Sequence, residues 1–293
     1  LVIFLKRYRR TYILVFIIVA ALVLAAGCTG TSDDTQEKEI SMGYSMWSSE
    51  ISSSSVLEIV YEMAGYKVEK VAADPGMLFQ GLASGDIDIY PGAWLPTCHK
   101  EYMKKYEDKI EFVGKNLDGV RIGFVVPSYV EADSIEDLNA IKEKTGGKII
   151  GIEPGSGTMQ STRQAIEEYD LDYELVASSE TAMLAELKSS IDKNEWVVIT
   201  GWRPHWDFMR WDLKFLDDPK NIYGGKEYIG SVARLGLKED DSEGYAIFKR
   251  FSWTPEDMES VMYDRENGVP EREAAQKWVD NHPDQVNTWL GRA

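Results

Sequence analysis

Cysteine is nearly absent from this chain: Cys28 and Cys98 are the only two among 293 residues. If either is used for something else, no disulfide framework can form. Histidine is almost as rare. His99, His205 and His282 are dispersed, and with no His-Glu-x-x-His or Cys/His cluster no metal site is expected. The Gly-x-Ser-x-Gly elbow of hydrolases is missing too. Pro154-Gly-Ser-Gly157 lacks the lysine and spacing of a phosphate loop, so it reads as a glycine turn entering a helix. Positive charge is also short: 32 Lys and Arg against 49 Asp and Glu give a net charge of −17. Nucleic acid, whose phosphates demand a basic surface, is thereby excluded as a partner. These absences leave no catalytic residue and no cofactor to assign. They point to a protein that binds and away from an enzyme.

What is present begins with a signal. Lys6, Arg7, Arg9 and Arg10 precede an apolar run over residues 12–26. That run is short of the roughly 20 residues a membrane span needs, and its flanks make residues 1–27 an export signal. The ending Leu24-Ala-Ala-Gly-Cys28 resembles the lipobox of lipoproteins, which implies a lipid on Cys28. Cys98 is then unpaired and reads as a small buried filler. Residues 28–38 are polar and without apolar periodicity, as in a flexible tether. The folded part is expected outside the cytoplasm, held to the membrane by its lipid.

From residue 39 the pattern alternates strand and helix. Strands are expected at 40–45, 67–71 and 86–90, with helices between them that stop at Gly65 and Gly85. Asp86 and Asp88 alternate with isoleucines as on a solvated strand face. The unit repeats, with strands at 120–126, 148–152, 173–176 and 196–200 and helices at 135–144, 159–169 and 180–191. A short strand at 213–216, an apolar stretch at 228–237 and several helices follow. Strand–helix–strand succession implies right-handed crossovers and parallel sheets. Two α/β lobes fit the length, residues 39–122 with 203–293 and residues 123–202. A chain that crosses twice makes a hinge and a cleft. Trp253, Trp278 and Trp289 fall in the C-terminal helices as core residues.

Three other tryptophans carry the functional signal. Trp47, Trp94 and Trp202 lie at the ends of expected strands or in the turns after them, where parallel sheets bind ligands. Indole faces are the best aromatic partners for a cation without hydrogen-bond donors, so three of them can box a quaternary ammonium. A zwitterion would also need an anion site. The segment Ser48-Ser-Glu-Ile51, running into Ser52 and further serines, leads into a helix whose free amides suit a carboxylate. The amides of Glu50 and Ile51 are the expected donors, with Ser52 and other serine hydroxyls as further donors. His205, in the Trp202 loop, is a further candidate.

These residues resemble the glycine betaine and proline betaine substrate-binding lipoproteins of ABC importers, the OpuAC-like family. The resemblance runs over residues 40–289. It rests on Gly43-Tyr44 with Trp47 and Glu50, on the run Gly81-Leu-Ala-Ser-Gly-Asp-Ile-Asp-Ile-Tyr90 with Trp94-Leu-Pro96, and on Trp202-Arg-Pro-His-Trp206 with Asp212-Leu-Lys-Phe-Leu-Asp-Asp-Pro219. It implies the bilobed, type II periplasmic-binding-protein-like fold, two doubly wound α/β lobes on a two-crossing hinge. It also implies an indole box of Trp47, Trp94 and Trp202, a carboxylate site at the Glu50 and Ile51 amides, and an ABC permease with its ATPase as partner. The expected ligand is glycine betaine, taken up for osmotic protection. Receptors for choline, carnitine or proline betaine are the alternatives, and an amide site argues against choline, which has no carboxylate. An enzyme acting on quaternary amines would need a general base, for which only His205 is at hand.

Overall fold

The computed structural model describes residues 38–225 and 227–292. The expected signal, Cys28 and nearly all of the expected tether lie outside the described residues. Among the described residues no helix is long and apolar enough to cross a membrane.

The first half is built from β1 (Lys38–Tyr44), α1 (Ser48–Met63), β2 (Tyr66–Ala72), α2 (Pro75–Ser84) and β3 (Ile89–Leu95). β1 pairs in parallel with both β2 and β3. Pro75 starts α2, where a missing N–H costs nothing, and Gly85 ends it at φ +84°. After α3 (Lys100–Lys105) comes the 18-residue β4 (Ile110–Pro127). The second half then adds β5 (Lys148–Ile150), α4 (Gly157–Glu168), β6 (Glu174–Val176), α5 (Glu180–Lys193) and β7 (Val198–Arg203). β5 pairs in parallel with β6 and β7, so β6-β5-β7 repeats the arrangement β2-β1-β3. The expected helix at 135–144 is instead a 3-10 helix, Ile135–Ile141, capped by Ser134.

β4 was expected only from residue 120, and its first half explains why. It pairs antiparallel with β9 (Glu227–Arg234) through register shifts at Phe112/Gly114, Lys115/Leu117 and Asp118/Val120. Each bulge breaks the in–out alternation by which a strand is read from sequence. From Arg121 onward β4 pairs with β7 and with β8 (Leu213–Phe215). One strand thus passes from the first half-sheet into the second. After β7 the chain stays beside the second half-sheet for some residues. The short α6 (Asp207–Arg210) precedes β8, β8 still pairs with Val125–Pro127, and the first half-sheet is rejoined only at Glu227. The apolar end of β4 gives β8 an edge to pair with, which holds residues 203–215 on the second side.

α7 (Leu237–Asp240), α8 (Ser242–Arg250), α9 (Pro255–Glu266), α10 (Glu271–Asn281) and α11 (Pro283–Leu290) close the chain. Trp278 and Trp289 are buried in α10 and α11, stacked at 5.5 Å, and Trp253 is buried in the connection between α8 and α9, not in a helix as expected. Their expected core role holds. Asp88 departs from its expected solvated face. It accepts from the Ser41 amide at 2.8 Å and from Arg234 Nε at 2.7 Å, tying β1 to β9.

Candidate functional site

Trp47 stands at the start of α1 with extended backbone, φ −96° and ψ 144°, which turns its indole out of the helix axis. Trp94 and Trp202 lie inside β3 and β7, paired with Ile229 and Ile122, and not in the turns after those strands. All three are at most 5% exposed. The rings of Trp47 and Trp202 stand 6.3 Å apart at 47°. A wedge of that size lets one cation lie within about 6 Å of both ring centres. Trp47 and Trp202 come from different halves, so the wedge exists only where the halves meet. Trp47 is further held by Glu153, which accepts from its Nε1 at 2.9 Å. The indole N–H groups of Trp94 and Trp202 are buried and have no partner among the described residues.

His99 connects Trp94 to this wedge. Its ring stacks near Trp47, 6.3 Å away at 20°, and its Nδ1 accepts the backbone N–H of Trp94 at 3.1 Å. Complete burial pushes its pKa down to about 3, so the ring is neutral. With Nδ1 accepting, the proton is on Nε2. That Nε2 is buried and unpartnered. A donor left so costs about 1–3 kcal/mol unless something accepts from it.

The start of α4 lies against the same loop. An added Cβ on Gly157 would stand 1.7 Å from the carbonyl oxygen of Cys98, so the two backbones are in close contact. Tyr102 donates to the carbonyl of Gly155 at 2.9 Å, and Cys98 Sγ faces Thr158 Oγ1 at 3.5 Å. Ser156 caps the helix by accepting from Met159 N. The Gly157 and Thr158 amides are the early ones for which a helix has no internal acceptor. No acidic residue stands in that first turn to offset the positive end of the helix. Cys98 is buried, and burial raises its thiol to about 12. It is inert as expected, but it seals the contact between the halves and does not merely fill space.

Several of the expected carboxylate donors on α1 have partners within the protein. The Ile51 amide donates to the Trp47 carbonyl at 2.8 Å, closing the first turn. Ser52 Oγ donates to the Ser48 carbonyl at 2.8 Å. Glu180, from α5, accepts from Ser48 N at 2.8 Å and from Ser48 Oγ, so a carboxylate of the protein itself caps this helix. His205 is pinned between Glu180 Oε1, 3.1 Å from Nε2, and Asp207 Oδ1, 2.7 Å from Nδ1. Burial opposes its charge, but these two carboxylates outweigh burial and push its pKa up to about 10. Both of its nitrogens are spent within the protein. Of the expected anion donors the Glu50 amide remains at an open helical position, and the Ser49 hydroxyl is buried without a partner among the described residues.

The Glu50 side chain is buried, with Tyr90 Oη donating at 2.8 Å and the Ser45 amide at 2.6 Å. Burial, assisted by the nearby Glu180, raises its pKa from 4.5 to about 8. The folded protein therefore holds a proton that the unfolded chain releases between these values. This contribution is full below pH 4.5 and is lost as pH rises towards 8. Glu50→Gln keeps the neutral shape without the titration. Its melting temperature should fall less than the parent's across that interval, and two parallel curves would refute the shift.

Sequence reasoning missed His99 and the start of α4. A usable signal existed in the spacing of Trp94 and His99, five residues apart across a turn. The glycine turn before α4 was read only as a helix entry.

The family described as the substrate binding domain of ABC-type glycine betaine transport systems matches residues 38–281. The glycine betaine/carnitine transport binding protein GbuC of Listeria monocytogenes is 44% identical over 160 residues, 54% of this chain and 52% of that protein. That match thus spans about half the length of the relative. Lactococcal OpuAC, solved closed with glycine betaine, is 40% identical, with 86% of this chain and 99% of that chain covered and a TM-score of 0.84. The glycine betaine, L-proline-binding protein ProX of Borrelia burgdorferi is 41% identical, with 86% and 96% covered and a TM-score of 0.83. The expected bilobed, type II binding-protein fold is borne out.

Proposed function

Because the chain belongs to the family of substrate-binding domains of ABC-type glycine betaine transport systems, we propose that it captures glycine betaine and delivers it to a membrane permease driven by an ATPase. It works outside the cytoplasm, tethered through a lipid on Cys28, and makes or breaks no bonds in its ligand.

The observation that carries this reading is a buried, unpartnered N–H on His99 beside an indole wedge. A zwitterion supplies what each feature asks for. Its trimethylammonium end enters between Trp47 and Trp202, with Trp94 as the third wall. Each desolvated indole contact is worth on the order of 2 kcal/mol. Its carboxylate turns to His99 Nε2 and the Gly157 and Thr158 amides. Hydrogen bonds to a charged acceptor are about twice as strong as neutral ones. Together the two ends can reach the roughly −8 kcal/mol of micromolar binding. Choline offers a neutral hydroxyl in place of the carboxylate, a weaker acceptor for the His99 donor.

The test is titration of the soluble part with glycine betaine, proline betaine, choline and carnitine, followed by tryptophan fluorescence. Silence for all four would end the proposal. His99→Leu should weaken glycine betaine binding about 10-fold or more, the cost of a hydrogen bond to a charged group. Choline binding should fall less, because a neutral hydroxyl makes the weaker bond. Equal loss for both ligands would make His99 a packing residue only.

A further inference from the structure

Glu180 belongs to neither end of the proposed site, yet it is 3% exposed and bonded on both oxygens. Oε2 accepts from Ser48 N at 2.8 Å, and Oε1 accepts from Ser48 Oγ and from His205 Nε2, the latter at 3.1 Å. Ser48 directly follows Trp47 and opens α1. His205 meets the Trp202 ring edge-on, 5.0 Å away at 78°. A single carboxylate therefore grips the residue after one wall of the wedge and the ring that backs the other.

We infer that Glu180 is the positioning residue of the indole wedge, setting the separation and tilt of Trp47 and Trp202 before ligand arrives. This rests on the binding reading above. The reasoning is geometric. The two walls come from different halves, and a cation gains from both only at one spacing. Glu180 lies in the second half and Ser48 in the first, so their bond ties the wall that α1 carries to the side that carries Trp202. Arg265 steadies the same turn from α9, its Nη1 donating to the Ser48 carbonyl at 3.2 Å. Asp207 holds the far nitrogen of His205 at 2.7 Å, fixing the ring that Glu180 reads. Glu180 also bonds the first amide of α1, that of Ser48, so it already sets a carboxylate at that helix start.

The experiment is a double-mutant cycle with glycine betaine as the probe, read by calorimetry on Glu180→Ala and Glu180→Gln, each alone and combined with Trp47→Leu. On the parent, Glu180→Ala should weaken binding about 10-fold, and on Trp47→Leu less than about 3-fold, since residues acting through one another are not additive. Glu180→Gln keeps an acceptor for the Ser48 amide and should fall between parent and Ala. It carries the test alone if the Ala variant does not fold. Near-ultraviolet circular dichroism of the ligand-free variants should lose part of the tryptophan signal. Unchanged affinity, equal loss in both backgrounds or an unchanged tryptophan spectrum would overturn the inference. A parent that ignores glycine betaine would instead sink the binding proposal, and the ligand-free spectra would still decide the role of Glu180.

Discussion

Trp202→Leu should weaken glycine betaine binding about 30-fold, the equivalent of losing one desolvated cation–π contact of about 2 kcal/mol. Trp202 is the cleanest of the three walls to remove. The Trp47 indole N–H is bonded to Glu153, so replacing Trp47 also breaks a bond between the halves. The Trp202 N–H has no partner among the described residues, so its loss strands no acceptor. Leucine keeps the apolar contact in β7 and removes only the π face. Trp202→Phe retains a weaker face and should lie between the two. Calorimetry gives the affinities, and thermal melting without ligand checks the fold. An affinity for the Leu variant within about 3-fold of the parent, with an intact fold, would remove the wedge from the binding site, because a lost π contact cannot be that small.

Gly157→Ala should have the larger effect, a loss of about 100-fold or more, as expected when binding groups are displaced by an ångström or more. The added carbon would stand 1.7, 2.4 and 2.8 Å from the O, C and Cα of Cys98. These are backbone atoms, which cannot swing aside as a side chain can. The start of α4 and the Cys98 loop would have to part, carrying the Gly157 and Thr158 amides away from His99. Alanine is also the better helix former, by about 1 kcal/mol, so the helix itself should not suffer. The melting temperature without ligand should fall modestly, the cost of overpacking one close backbone contact, while binding collapses. Gly155→Ala is the control two residues earlier, where an added carbon meets nothing within 4 Å. Calorimetry on both variants decides the matter. If Gly157→Ala binds like Gly155→Ala, the close approach plays no part in capture.

How much of this was legible beforehand depended on the range of the contacts. α1 and α2, with their serine-rich or proline starts and glycine stops, were readable because those signals are local. β4 was half readable, since bulges beside Gly114 and Gly119 erase the alternation that marks a strand. The 3-10 helix Ile135–Ile141 looked like an α-helix because Ser134 and Asp137 form a capping box that serves either. The three tryptophans of the proposed wedge stood out in the sequence because each ends or follows an apolar β-rich run. His99 was passed over because a lone histidine has no pattern of its own. Its meaning came from Trp94 N–H on one nitrogen and nothing on the other.

The sequence by itself determined the α/β alternation, the three indoles and the family, because period, caps and motif spacing are properties of neighbours along the chain. Only the tertiary structure decided what each of two open helix starts meets. α1 and α4 look alike in sequence, each entered through serine or glycine. Glu180, 132 residues further along, reaches back to occupy the first. Cys98, about 60 residues before α4, comes to lie against the second. A carboxylate and a backbone carbonyl arriving from such distances leave no trace in local pattern, so what meets each of the two ends belongs to packing.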